Sequence, residues 1–303
     1  MDQKVTAIIV NYFSGHLLKD IVSNLKKFLP RLGEIIIVNN SGEDISGHGD
    51  AITTVLCPEE NLGYGRAINF GVRNSKYPNI VALNPDISIE KWDFDFENPP
   101  AKKFIVSGVK DGGLEYPKFP HPLYDAYRFM LFNLSKLFSP IDKLFGTLRL
   151  DPSIDFQPVD WVPGALIVTT KETFDAIGGF GEEYFLFYEE VDLCMRARLQ
   201  NIEVLFSPKI SYRTFEAKSS SCDVSEVKTV SEAESLRTYH HKYSNRMMTF
   251  LSVSLIKSWS ICMVVFFGFL SKLFSSKKIK SKVKQYRIYN NRLKFSQSLG
   301  PLP

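Results

Sequence analysis

In its first 83 residues the chain alternates short β-branched runs with helix-patterned segments, and no other feature constrains the fold as tightly. Val5-Thr-Ala-Ile-Ile-Val-Asn11 is apolar at both parities, as in a strand buried on both faces. Leu17, Leu18, Ile21, Val22, Leu25, Phe28 and Leu29 then recur at helical spacing, with Pro30 as the stop. Glu34–Val38 and Ile52–Leu56 predict two more strands, Gly63–Asn74 a helix, and Asn79–Leu83 a fourth strand. Connections of this kind predict right-handed crossovers and a Rossmann-like, mostly parallel α/β sheet with helices on both faces. Ligands of such sheets bind outside the carboxyl ends of the strands. The polar segments Asn39–Asp44, Asn61–Gly65 and Asn84-Pro-Asp86 are therefore the first places to look for chemistry.

The later pattern is less regular. Phe104–Val109 predicts a strand, and residues 117–152 a helical insertion with apolar residues at helix spacing from Leu123 to Leu137. Trp161–Val168 reads as a strand, and Lys171–Ile177 as a short helix ended by Gly178-Gly179. A helix is expected from about Glu189, with Val191, Cys194 or Met195, and Leu199 facing inward. Val204–Phe206 reads as a strand and Lys218–Ser225 as a polar loop.

Composition matters here through its distribution. The chain has 303 residues, 44% hydrophobic and 23% charged, which excludes a mostly disordered, collagen-like or polytopic membrane chain. Its net charge is +4, yet residues 271–303 carry nine basic and no acidic side chains, leaving −5 on residues 1–270. A mildly acidic body with a basic end suggests an anionic surface as a partner. Four scattered cysteines (57, 194, 222, 262) form no Cys-x-x-Cys pair. Neither a zinc site nor a disulfide framework is indicated, and a reducing compartment is expected. No secretory leader is expected at Met1–Lys4.

Several residues could carry chemistry, each with a plainer explanation beside it. Asp86, just past a strand end, is placed to hold a hard cation, or simply to form a turn. Glu189, Glu190 and Asp192 follow an aromatic run, where desolvation would make a carboxylate a better base; they equally suit a helix start, with Asp192 pairing Arg196. Asn61-Leu-Gly-Tyr-Gly65 is not a dinucleotide fingerprint, because Ile68 stands where a third glycine is required. Arg66, Asn69 and Arg73 lie on the polar face of the following helix, where Arg66 could meet a diphosphate. His240 and His241 do not share a helix face, so they are no metal pair. No P-loop or Gly-x-Ser-x-Gly elbow occurs.

In order, these pieces resemble glycosyltransferase family 2 of the GT-A fold, in its rhamnosyltransferase-like branch, over roughly four-fifths of the chain. The resemblance rests on Val10-Asn-Tyr12, Val38-Asn-Asn-Ser41, Asn61–Gly65 with Ala67, Asn69 and Gly71, Leu83-Asn-Pro-Asp86, Trp161-Val-Pro-Gly-Ala165, Gly178-Gly-Phe180 and Tyr188–Arg196. It implies a nucleotide-diphosphate sugar held by Val10, Asn11, Asn39, Asn61, Gly63, Arg66, Asn69, Asn84 and Asp86. Asp86 would ligate Mg²⁺ or Mn²⁺. Trp161, Gly164, Tyr188 and Glu189 would face the acceptor. Glu190 would be the base of an inverting transfer, with Glu189 and Asp192 orienting it or the acceptor. The sequence departs from the family at three points: Asn39 and Glu190 stand where Asp is usual, and Arg213-Thr214 where a metal-assisting His is common.

The implied reaction is transfer of rhamnose from dTDP-rhamnose to a lipid-linked oligosaccharide in bacterial surface-polysaccharide synthesis. The alternatives are a UDP-sugar donor (galactofuranose, glucose or GlcNAc) or a non-catalytic nucleotide-sugar or carbohydrate-binding subunit. An NAD-dependent oxidoreductase is disfavoured by the missing glycine fingerprint. Residues 1–248 form the expected transferase domain, and residues 249–303 an apolar helix and basic tail for membrane association. The densest apolar part, Trp259–Leu270, is too short for a span of about twenty residues. A single crossing would also oppose the positive-inside tendency. An interfacial or re-entrant segment is therefore expected on the cytoplasmic face of the bacterial inner membrane, its basic residues against anionic lipid. No nucleic-acid partner is expected, and a homo-oligomer is left open.

Overall fold

The computed structural model describes residues 4–131, 146–215, 222–273 and 276–293. The chain divides into two compact units. The first comprises Met1–Phe119, Thr147–Glu182 and Glu189–Ser219; the second comprises Pro120–Gly146, Glu183–Tyr188 and Ser220–Pro303.

The first unit is built on a nine-stranded sheet. Its first half follows the sequence pattern: β1 (Val5–Asn11), α1 (Gly15–Phe28), β2 (Leu32–Asn39), β3 (Thr53–Leu56), α2 (Gly63–Arg73) and β4 (Asn79–Leu83). Strands β3, β2, β1 and β4 are neighbours in that order and run parallel. Alternation of side chains along β1 explains why both parities are apolar. Ile8 and Val10 pack with Ala67, Ile68 and Val72 of α2, while Ala7 and Ile9 pack with Leu18, Ile21 and Leu25 of α1. Lys26 and Lys27 in the last turn of α1 complement its dipole.

The second half of the sheet contains β5 (Ile87–Trp92), β6 (Phe104–Lys110), β9 (Gln157–Pro158), β10 (Leu166–Thr170) and β11 (Glu203–Thr214). Strand β10 is antiparallel to both β4 and β6, β11 is parallel to β6, and β5 is antiparallel to β11 at the edge. Strand β5 has no counterpart in the sequence reading; its buried positions are only Ile87 and Ile89. The expected strand over Trp161–Val168 begins only at Leu166, because Pro163 cannot donate to a ladder and its carbonyl closes a turn onto Leu166 N–H.

Two helices flank this half. Helix α4 (Lys171–Ile177) is capped by Thr170, whose hydroxyl accepts Thr173 N–H at 3.1 Å, and ends at the left-handed Gly178. Helix α5 spans Glu189–Leu199, and its Leu199 is 69% exposed, against the inward position expected for it. The interior face of α5 closes at Ala197.

Residues 117–152 are not a simple helical insertion. Strands β7 (Glu115–Pro117) and β8 (Thr147–Arg149) pair antiparallel, and helix α3 covers Pro122–Leu131. The rest of the expected apolar pattern, 132–137, lies outside the described residues.

The second unit is helical: α3, α6 (Cys222–Tyr243), α7 (Arg246–Leu273) and α8 (Lys277–Arg292). The expected loop at Lys218–Ser225 is overturned in its second half, since Cys222 opens α6; residues 218–221 lie outside the described residues. The unit has its own core of Ala126, Ala233, Leu236, Val253, Ile256 and Tyr289. Helix α7 has 28 residues and is, among the described residues, the one helix long and apolar enough to cross a membrane by length and composition. One of its faces, with Ser252, Val253, Ile256 and Ser260, is buried; another exposes Phe250, Leu255, Ile261, Val265, Phe266 and Phe269.

Candidate active site

The site is assembled in the first unit from loops at strand ends and two helix starts. Asn61 Oδ1 accepts Gly63 N–H at 3.0 Å, and Asn40 at the end of β2 donates to the Gly63 carbonyl at 2.9 Å. These bonds fix the start of α2. From there the Tyr64 hydroxyl donates to the Gly164 carbonyl at 2.5 Å, and its ring meets Phe180 edge-on at 6.0 Å.

Two glycines bring the acidic pair into this corner. A Cβ at Gly65 would lie 3.0 Å from Phe180 Cβ and 3.4 Å from Glu189 Cβ. A Cβ at Gly164 would lie 3.4 Å from the Tyr64 ring and 3.7 Å from Glu190 Cβ. Glycine at position 65 lets α2 approach Phe180 and the start of α5 closely, while the distances at Gly164 are those of ordinary contact and place Tyr64 and Glu190 beside that loop. Just before α5, Phe187 and Tyr188 both have positive φ, 69° and 65°. Two bulky residues in that region store backbone strain, a cost commonly found at functional sites.

The electrostatics of the pair are unusual. Glu189 is buried, and the Oε2 atoms of Glu189 and Glu190 are both buried without a hydrogen-bond partner. Burial pushes the Glu190 carboxyl up to about 7, with backbone N–H groups at the helix start partly opposing it. Burial and then the Glu190 charge hold Glu189 well above the usual carboxylate range. The Tyr64 phenol is also held well above its ordinary value, by burial first and then by the charges of Glu189, Glu190 and Asp86. Tyr64, Gly164, Glu190, Glu189 and Asp86 therefore share one electrostatic neighbourhood.

Other expected residues are placed differently. Asn11 and Asn39, at the ends of β1 and β2, bond to each other at 2.9 Å in a polar network with Ser41 and Glu43. Glu43 was not expected there; its carboxylate accepts from Asn11 Nδ2 at 3.0 Å. Val10 is a buried strand residue opposite Val38. Asn84 donates its backbone N–H to Ala165, and Trp161 donates its indole N–H to the Lys118 carbonyl. Arg66 Nε is buried without a partner. Tyr188 belongs to the second unit, its hydroxyl 3.5 Å from Asp125.

Two expected residues have partners within the fold. Asn69 serves the fold: its Oδ1 accepts Phe180 N–H at 2.8 Å and its Nδ2 donates to the Phe180 carbonyl at 3.0 Å. Asp192 is fully buried and paired with Arg196 at 2.7 Å, while Arg196 also donates to the Ile177 and Gly179 carbonyls. Asp192 thus holds the guanidinium that bonds the turn after α4.

Asp86 accepts Phe215 N–H on its backbone carbonyl, so the end of β11 returns beside it. Thr214 donates both its N–H and its hydroxyl to Asp111, and Arg213 pairs with Glu90 on the exposed edge. Among the described residues no three His, Cys, Asp or Glu side chains converge as a metal cage. A strand-end carboxylate such as Asp86 fits a hard divalent cation that takes its other ligands from substrate phosphates and water.

The sequence did carry a signal for Tyr64, an aromatic set between two glycines at a helix start. It carried none for Asp111, whose role depends on loops meeting in space, while Asn40 and Glu43 lie in the Asn39–Asp44 segment marked for chemistry but not as individual residues.

No protein-family model matches the chain. A low-salt glycan biosynthesis hexosyltransferase, Agl10, of Haloferax volcanii is 25% identical over 213 residues, covering 66% of this chain and 63% of the relative. The chain thus spans less than two thirds of that relative's length. An N-acetylglucosaminyl-diphospho-decaprenol L-rhamnosyltransferase of Mycobacterium tuberculosis is 24% identical over 219 residues, 64% of this chain and 70% of the relative. Among solved structures, GalNAc-T7 with UDP, GalNAc and Mn²⁺ superposes with a TM-score of 0.54 at 14% identity, covering 70% of this chain and 44% of that one. The fold of the first unit is the GT-A arrangement.

Proposed function

With the rhamnosyltransferase-like branch of glycosyltransferase family 2 as the family that these relatives support, we propose that the chain transfers a sugar from a nucleotide-diphosphate donor to a saccharide acceptor. The observation that carries this reading is the Glu189–Glu190 pair beside Tyr64 and Gly164, Glu189 buried and Glu190 half-buried, with the Glu190 carboxyl pushed up to about 7. A base with that pKa is ionised in substantial fraction at neutral pH and still accepts a proton well.

In the proposed reaction Glu190 takes the proton of an acceptor hydroxyl. The freed oxygen attacks the anomeric carbon, and the bond from that carbon to the diphosphate breaks, its electron pair leaving with the nucleoside diphosphate. Attack opposite the leaving group inverts the anomeric centre. Glu189, whose burial and whose neighbour's charge favour its protonated form, would orient the acceptor or Glu190. Mg²⁺ or Mn²⁺ on the Asp86 carboxylate and the donor's phosphates would offset charge on the leaving diphosphate. The cluster of Asn11, Asn39, Ser41 and Glu43 lies at strand ends where a nucleobase would sit. Arg66, with a buried unpartnered Nε, is the cation we assign to the diphosphate.

The finer reading is rhamnose from dTDP-rhamnose, delivered to a lipid-linked oligosaccharide at the cytoplasmic face of a membrane. Support comes from the rhamnosyltransferase relative and from α7, which exposes a stripe of six large apolar side chains, the kind of surface that marks a protein or membrane contact. With its other face already buried, α7 suits lying in the interface better than crossing it. Exposed Lys272, Lys277 and Lys280 near the end of that stripe suit anionic headgroups.

The test is a donor panel of dTDP- and UDP-sugars with Mg²⁺ or Mn²⁺, scored by released nucleotide with lipid-linked acceptors. Turnover with one donor and its loss in Glu190→Gln, donor binding retained, is the expected result. Donor binding without turnover on any acceptor would instead indicate a non-catalytic binding subunit.

A further inference from the structure

The second unit contains a cavity of about 310 Å³ that the chemistry above does not use. That is near the lower end of small-molecule sites and suits a ligand of one or two sugar rings. Its walls come from α3, α6 and α8 together with Tyr188.

The lining is partly aromatic. Phe129 stands edge-on to Tyr289, centroids 4.6 Å apart, and to Tyr286 at 6.1 Å, so the rings form a corner. Tyr286 is held in plane by stacking on Phe267 at 5.9 Å. Ring faces of this kind take the C–H face of a pyranose, as apolar walls with few fixed polar groups generally do for ligands.

The polar groups are balanced in charge. Arg128 and Lys282 stand against Asp125 and Glu232. Asp125 meets His240 at 2.7 Å, Glu232 accepts the Tyr289 hydroxyl at 2.6 Å, and Lys282 donates to Gln285 at 3.1 Å. These partners hold donors and acceptors in fixed directions, while carboxylate and amide oxygens retain further lone pairs. An anion would face two carboxylates and a cation two basic groups; a neutral ligand with many hydroxyls meets both kinds without net repulsion.

We propose that this cavity binds a neutral mono- or disaccharide. The choice of saccharide among hydroxylated ligands rests on the glycosyl-transfer reading given above. Binding is read on the full chain in mild detergent, by saturation-transfer NMR and calorimetry. The probes are methyl glycosides of N-acetylglucosamine, rhamnose and galactose, with inorganic pyrophosphate as the charged control. At least one glycoside should bind, and Tyr286→Ala should weaken it about tenfold, the scale of one lost aromatic face. Because Tyr286 also packs on Phe267, Gln285→Ala provides the second variant: binding should weaken severalfold with the melting temperature unchanged.

The proposal is overturned if no glycoside binds, if both variants bind as the wild type does, or if pyrophosphate binds in their place. Nucleotide release on the same preparations separates the two readings. Glycoside binding that the variants lose, with no transfer from any donor, keeps the cavity and removes the transferase. Transfer without glycoside binding does the reverse.

Discussion

The Tyr64 hydroxyl donates a 2.5 Å hydrogen bond to the Gly164 carbonyl, joining the start of α2 to the loop before β10 across 100 residues of sequence. Through Gly164 it supports the corner in which Glu190 stands. Tyr64→Phe keeps the ring against Phe180 but frees that carbonyl. We expect a stability loss of about 1 kcal/mol and turnover reduced about tenfold with donor KM little changed. Denaturant melts and steady-state kinetics check this; a change confined to donor KM would place Tyr64 on the donor instead.

Glu190→Gln should lower turnover about a thousandfold, the usual scale for a lost general base, and yet stabilise the protein above neutrality. The folded state raises this carboxyl from 4.5 to about 7, so it favours the protonated form. The associated stability is full below the unfolded value and is lost as pH rises through about 7. A neutral amide escapes that loss, a gain on the order of 3 kcal/mol above pH 7. Melting curves across pH read this directly, and an inactive variant that melts lower at every pH would contradict it.

Turnover of the wild type should rise with pH through about 7, as the base ionises. The same limb should be absent from the residual activity of Glu190→Gln. A pH–rate profile of kcat/KM decides it, and an acidic limb surviving in the variant would assign that titration elsewhere.

Asn69→Ala removes both bonds to the Phe180 backbone and leaves buried groups unpaired. The expected cost is about 2–3 kcal/mol of stability, with donor affinity in the folded fraction unchanged. Urea unfolding and nucleotide titration separate these effects. Weakened donor binding at unchanged stability would restore Asn69 to the donor site.

Val265→Asp with Phe269→Asp should release the chain from phosphatidylglycerol vesicles, because both side chains are exposed on the apolar stripe of α7. Lys277→Glu with Lys280→Glu should weaken binding mainly at low salt, where screening is least. Vesicle flotation measures both, and flotation indifferent to all four changes would argue against this surface.

Local chemistry made much of the protein legible in its sequence. The strand–helix alternation through Leu83 follows from apolar spacing, and the Gly178 stop from its left-handed backbone. Glu189 and Glu190 could be picked out as a helix-start acidic pair. Their sequence neighbour Asp192 has the same chemistry and a different fate: its partner Arg196 is local to the helix, but only the fold brings the Ile177 and Gly179 carbonyls to that guanidinium. Likewise β5 and the antiparallel β10 depend on pairing partners more than 60 residues away, which no local period encodes.

The residue order alone therefore determined the class of fold, the acidic pair and the apolar, basic end, since periodicity, helix starts and charge are local properties. Tertiary structure decided which carboxylate is desolvated, which amide is locked to backbone, and which face of α7 remains bare. Those outcomes depend on contacts between segments distant in sequence, and burial, hydrogen-bond partnership and pKa exist only once those contacts form.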